Sequence, residues 1–166
     1  RKGVDFLSGY CAVKPVPSDI VITTNGGYPL DQNAYQCPKG MSAAEATVND
    51  GGVIIMLATC QDGHGGESYY HSIADAESAD AFFQQCLHTP QVETLPDQWC
   101  AQIWCRIVRK YKVLFVADKA QEQLIRDLKV EYFETLDEAY ARARELKGPD
   151  ATLTCIPNGV SVVVKD

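Results

Sequence analysis

Along this chain, short and nearly unbroken apolar runs alternate with stretches in which apolar residues recur every three or four positions. The first two runs are residues 19–24 (DIVITT) and 52–58 (GVIIMLA). Runs of this kind suit strands buried on both faces of a parallel sheet better than half-exposed ones. Residues 112–117 and 130–133 read as a third and a fourth strand. Asp118 with Gln121 resembles a capping pair opening a helix that runs to about Leu128. Thr135 and Glu138 form a T-x-x-E capping box, after which Leu136, Ala139, Tyr140 and Ala143 keep helical spacing until Gly148 and Pro149 stop the helix.

Between the second and third runs, residues 68–111 are helical by pattern, with a break over 89–96. One apolar stripe is Phe82, Phe83, Cys86 and Leu87; another is Trp99, Ile103 and Ile107 with Trp104 and Val108 beside it. Pro38 suits the opening turn of a further helix, predicted to pass through Met41, Ala44 and Val48 and to stop near Asn49, Asp50 and Gly51. At the far end, residues 153–156 and 160–164 flank Asn158 and Gly159, a strong hairpin signal. The pattern therefore predicts a three-layer α/β fold: a mostly parallel sheet flanked by helices, ending in a C-terminal antiparallel hairpin edge. Residues 18–166 are expected to form this single domain, and residues 1–17 to be the tail of an upstream helix with a linker through Pro15 and Pro17. The opening at Arg1 rather than Met reads as a piece cut from something longer.

Composition narrows what such a domain does. At 166 residues, with 46% hydrophobic and 22% charged, the chain supports one sizeable core. Fifteen basic against 22 acidic residues give a net charge of −7, which opposes long-range attraction to nucleic acid or to an anionic membrane. The longest apolar run, from Val53 to Ala58, is far too short to span a bilayer, and no basic-then-apolar leader stands at the front, so a cytoplasmic protein is expected. Seven cysteines lie without any CxxC pair, which suits reduced structural thiols rather than a metal cluster.

Ligands of open α/β sheets collect beyond the carboxyl ends of the strands, which directs attention to residues 25–39 and 60–68. The first stretch, with Asn25, Gly26, Gly27 and Tyr28 at its start, leads to Gln36 and Lys39 around the N-terminus of the Pro38 helix. A cation, an amide and free backbone N–H groups converging there would suit a carboxylate. From spacing alone the simpler reading is a solvated lysine and a loop amide. The second stretch carries Gly63, His64, Gly65 and Gly66, glycine-rich enough for a backbone anion nest, yet equally a tight strand-to-helix connection. His64, His71 and His88 show no metal-ligand spacing, and neither a G-x-S-x-G elbow nor a flagged cysteine supports nucleophilic catalysis. Trp99 and Trp104 read as core residues of an amphipathic helix.

Taken together, DIVITTNGGYP (19–29), QCPKGM (36–41), SAAE (42–45), GGVII (51–55) and DGHGGE (62–67) resemble the C-terminal half of the nickel-dependent lactate racemase family over nearly the whole chain. That resemblance implies an enzyme that racemises or epimerises 2-hydroxy acids by reversible hydride transfer to a nickel-pincer nucleotide. It also implies that the proton-transferring histidines, the cofactor-tethering lysine and the nickel-ligating histidine lie in an N-terminal domain, this chain's expected partner. No catalytic residue, metal ligand or bound cofactor is then expected in the isolated chain. The family's substrate-carboxylate contacts match Gln36 and Lys39, and a residue lining the site matches Trp99. The rival reading is a non-catalytic Rossmann- or flavodoxin-like module that binds a small carboxylate or phosphate alone.

Overall fold

The computed structural model describes residues 2–165. Its centre is a five-stranded, wholly parallel sheet in the order β5–β4–β3–β2–β6, built from β2 (Ser18–Thr24), β3 (Val48–Leu57), β4 (Lys112–Val116), β5 (Glu131–Phe133) and β6 (Leu153–Ile156). The period-2 alternation of a strand sorts its side chains to two faces. Val21, Ile54, Met56, Val113 and Phe115 join one core cluster, whereas Ile20, Val53, Ile55 and Leu114 join another. Both faces of β2, β3 and β4 are therefore covered, as their apolar runs require.

The first face packs against α2 (Cys37–Glu45), α5 (Gln98–Val108) and α6 (Glu122–Asp127), which contribute Met41, Ala44, Trp104, Ile107 and Ile125. Helices α3 (Glu67–Ala74) and α4 (Ala79–His88) add Tyr69, Ile73, Phe82 and Cys86 to the same core. The second face is covered by α7 (Leu136–Lys147), where Ala139 and Ala143 let the helix lie close to the sheet. Its Thr135–Glu138 capping box forms as the sequence predicts: each side chain bonds the other's backbone N–H. Among the described residues, no helix is long and apolar enough to cross a membrane.

Four sequence-based expectations are corrected. The C-terminal antiparallel hairpin does not form. β6 joins the sheet edge parallel to β2, and β7 (Val163–Val164) pairs in parallel with β1 (Ala12–Val13) in a separate two-stranded sheet. A two-residue hairpin of this type needs positive φ at both turn positions, and neither Asn158 nor Gly159 has it. Instead Gly159 donates its N–H to Thr24 O and lies so close to Gly40 that an added Cβ would stand 2.7 Å from the Gly40 Cα. The Asn158–Gly159 pair is thus used to cross the end of β2.

Helix α2 ends at Glu45 rather than continuing through Val48, because Thr47 turns back onto Ala43 O and Val48 opens β3. Asp118 makes no side-chain cap; its backbone carbonyl closes a short turn with Gln121 N at 2.8 Å, and α6 is only 6 residues long. Of the predicted α5 stripe, Trp104 and Ile107 are buried with Cys100, Ala101 and Cys105, whereas Trp99 is 55% exposed.

Asp19 ties the sheet edge together. Its carboxylate accepts from the Thr152 backbone N–H at 3.0 Å, from Asn49 Nδ2 at 3.1 Å and from Thr152 Oγ1 at 2.7 Å, and these bonds lower its pKa to about 2. A carboxylate depressed on folding contributes stability that is present above its unfolded pKa of 3.8 and lost as pH falls through 2. The stability advantage of the native chain over Asp19→Asn is therefore expected to be constant above about pH 5 and to shrink steadily toward pH 2. Denaturant titrations of both proteins at stepped pH measure it, and a difference that does not change with pH would contradict this role.

Candidate carboxylate-binding site

The strand-end loops meet at one edge of the sheet. Residues 25–36 follow β2 and residues 58–66 follow β3, and four backbone bonds clip them together. Ala34 N donates to Gly63 O at 3.1 Å, Tyr35 N to His64 O at 3.0 Å, Cys60 N to Asp31 O at 3.0 Å and Asp62 N to Gln32 O at 2.7 Å. The two predicted site loops are thus one structural unit.

Asn25, fully buried, holds the first loop in shape. Its Nδ2 donates to Leu30 O at 2.7 Å and to Gln36 O at 2.9 Å, and its Oδ1 accepts from Gly40 N at 3.1 Å. This strut also changes the chemistry of the α2 N-terminus. The Cys37 N–H is taken by Ala34 O, Pro38 has none, and the Gly40 N–H is taken by Asn25. Fewer helix N–H groups are left for an anion than spacing suggests, so an anion placed there would have to be held by side chains.

The candidate side chains there are Gln36 and Lys39. Lys39 Nζ donates to Gln36 Oε1 at 2.5 Å, across three residues at the surface. Among the described residues no other acceptor holds this ammonium. Tyr35, one residue earlier, packs edge-on against the Trp99 indole at 6.1 Å between ring centroids, which brings the start of α5 beside the start of α2. The thiol of Cys100 records the same proximity. Burial and then the Asp97 charge push its pKa up, to about 12, while Lys39 pulls it down. The starts of α2 and α5, which carry Gln36, Lys39 and Trp99, thus lie side by side at the edge of the sheet, with Lys39 and Trp99 exposed and Gln36 half-buried.

The other candidate positions have different surroundings. Gly26 backs onto Asn158, Gly27 lines a shallow crevice with Asp31, Thr59 and Asp118, and Tyr28 is exposed. In the glycine-rich loop, two of the backbone donors a nest could use are already engaged: Gly63 N bonds Cys60 O at 2.8 Å, and Gly66 N bonds His64 Nδ1 at 3.1 Å. Gly65 is required for packing, since at φ +77° an added Cβ would stand 2.4 Å from the Asn33 side chain. The His64 ring stacks on Tyr70 at 5.1 Å. Among the described residues, no group of three or more His, Cys, Asp or Glu is arranged to hold a metal ion.

Sequence reasoning passed over Tyr35 and Asp97. The Tyr35 hydroxyl donates to Asp97 Oδ1 at 3.0 Å across 62 residues, a partnership that no local spacing signals.

Residues 13–164 match the lactate racemase C-terminal domain family. The chain is 48% identical over 165 residues to a lactate racemase of Lactiplantibacillus plantarum and 44% identical to one of Thermoanaerobacterium thermosaccharolyticum. In both, the alignment covers 99% of this chain and 39% of the relative, so the chain spans about two-fifths of their length. The solved structure of the lactate racemase apoprotein from T. thermosaccharolyticum superposes with a TM-score of 0.95 at 44% identity, covering 99% of this chain and 40% of that one. The chain belongs to the lactate racemase C-terminal domain family.

Proposed function

We propose that this chain is the substrate-holding domain of an enzyme that racemises or epimerises 2-hydroxy acids such as lactate, and that Lys39 and Gln36 hold the substrate carboxylate. One observation carries the reading: the Lys39 ammonium is satisfied by an amide oxygen at 2.5 Å, at the surface, and Tyr35, the residue before Gln36, packs against the exposed Trp99 indole. A carboxylate oxygen can replace that amide oxygen, and the ion–ion bond is the stronger of the two. The Gln36 amide then turns to donate through Nε2 to the second oxygen.

Racemisation requires one carboxylate to stay held while hydrogen leaves C2 from one face and returns to the other. A point charge and a single amide fix the carboxylate without locking rotation about its bond to C2. Trp99 covers the C2 side chain and excludes water. A nickel-pincer nucleotide, when bound, supplies the hydride acceptor in the reaction proposed for the whole protein. The described residues do not fit as its metal ligands, and no step assigned to this chain runs through the metal.

The remaining machinery is assigned to an upstream domain of the whole protein. Residues 18–166 are taken as the domain proper and residues 1–17 as its linker. In support, helix α1 (Lys2–Cys11) buries none of its residues and exposes Val4, Phe6, Leu7 and Tyr10, an apolar surface suited to a domain contact. Seven free thiols, five of them buried, suit a reducing compartment, and the cytoplasm is the proposed location.

Comparing the isolated chain with the whole protein tests this division. The cofactor-loaded whole protein is expected to racemise lactate, whereas the isolated chain neither racemises it nor retains stoichiometric nickel. Racemisation by the isolated chain would contradict the proposal, as would an inert, loaded whole protein.

A further inference from the structure

We infer that the Tyr35 hydroxyl and the Asp97 carboxylate form a positioning pair that sets the Trp99 indole against the Gln36–Lys39 anchor. The inference rests on the carboxylate-holding role proposed above and adds two residues to it. Tyr35 sits in the 3₁₀ turn Ala34–Gln36, directly before Gln36. Its ring is wedged between the buried Tyr69, 5.4 Å away, and Trp99, 6.1 Å away, edge-on to both. It grips α5 on both sides of Trp99: its hydroxyl donates to Asp97 Oδ1 at 3.0 Å, and its carbonyl accepts from Cys100 Sγ at 3.3 Å.

Asp97 is unsuited to a merely local role. It occupies the N-cap position of α5, yet its side chain makes no cap bond, and its backbone stands at φ +61°, a region that L side chains seldom adopt. A strained residue that gives up its capping bond to reach across 62 positions ties two site elements together. The glycine-rich loop closes over the pair. A Cβ added to Gly66 would lie in contact with Tyr35 Cδ2 at 3.5 Å and with Asp97 Oδ2 at 3.7 Å. Burial and the Asp97 bond push the Tyr35 hydroxyl up to about 12, so it remains a donor at every pH at which the enzyme would be assayed.

The test uses the whole, cofactor-loaded enzyme with lactate, measuring kcat, KM and thermal midpoint for Tyr35→Phe, Asp97→Ala, Asp97→Asn and the double Tyr35→Phe/Asp97→Ala variant. Lys39→Ala and Trp99→Ala serve as references. Tyr35→Phe is expected to lower kcat roughly tenfold with KM little changed, because a displaced indole misaligns the reacting carbon without removing the carboxylate contact. Asp97→Ala should lose as much, and the double variant no more than either single one, as expected of two halves of one interaction. Asp97→Asn keeps an oxygen acceptor and tolerates left-handed backbone, so it should restore most of what Asp97→Ala loses.

Full kcat in Tyr35→Phe would overturn the inference, and so would Asp97→Asn as impaired as Asp97→Ala. Collapse of the fold in both Tyr35→Phe and Asp97→Ala would also overturn it, since the pair would then hold the domain rather than the indole. If Lys39→Ala and Trp99→Ala themselves keep full activity, the carboxylate-holding reading fails. If those two lose activity while Tyr35→Phe keeps it, only the positioning pair fails.

Discussion

Asn25→Ala is expected to destabilise the chain by about 3 kcal/mol and to impair the site at the same time. The side chain is fully buried and makes three hydrogen bonds, all to backbone groups of the site loop and of α2: Leu30 O, Gln36 O and Gly40 N. A buried polar group left without a partner costs roughly 1–3 kcal/mol, and about 1 kcal/mol for each of these three backbone groups gives the total of about 3 kcal/mol. Asn25→Asp should be no milder. It keeps the acceptor for Gly40 N but sets a carboxylate oxygen against two carbonyls. The Gln36 carbonyl loses its support in either variant, so the carboxylate anchor should loosen. Denaturant titration reads the stability and racemisation by the whole protein reads the site. A change in stability below about 1 kcal/mol would mean that the strut is replaced by solvent at little cost.

The central strands were legible because burial on both faces leaves an apolar run that no exposed segment shares, as in Val53 to Met56 and Val113 to Phe115. The capping box at Thr135 and Glu138 was legible because its chemistry is complete within four residues. The convergence of residues 25–39 and 60–68 followed from strand order alone, since both loops leave the same end of a parallel sheet. What escaped depends on distant partners. Asn158 and Gly159 carry a turn signal, but Gly40 and Thr24 claim them. The α2 N-terminus looked open to an anion, whereas Asn25, 15 residues before Gly40, already occupies one of its donors. Trp99 and Trp104 share a helix and a residue type, yet only the packing separates the exposed indole from the buried one, whose Nε1 donates to Leu128 O at 2.9 Å.

The second large effect is expected at Lys39, where surface chemistry and proposed function lead to opposite outcomes. The ammonium is exposed and its partner within the chain is the neighbouring Gln36 amide, so Lys39→Ala should change stability by no more than about 0.5 kcal/mol. Holding a substrate carboxylate is another matter. A charge-assisted hydrogen bond contributes roughly 1.5–3 kcal/mol, which corresponds to about a 10- to 150-fold loss in kcat/KM when it is removed. Gln36→Ala should lose activity in the same direction but less, because a neutral amide makes the weaker bond. The most direct measurement is therefore lactate racemisation by the whole, cofactor-loaded Lys39→Ala protein, with its melting temperature taken alongside. The expected result is a loss in kcat/KM of at least about tenfold at an unchanged melting temperature. Wild-type racemisation by the folded, loaded variant would contradict the assignment of Lys39 as the carboxylate anchor.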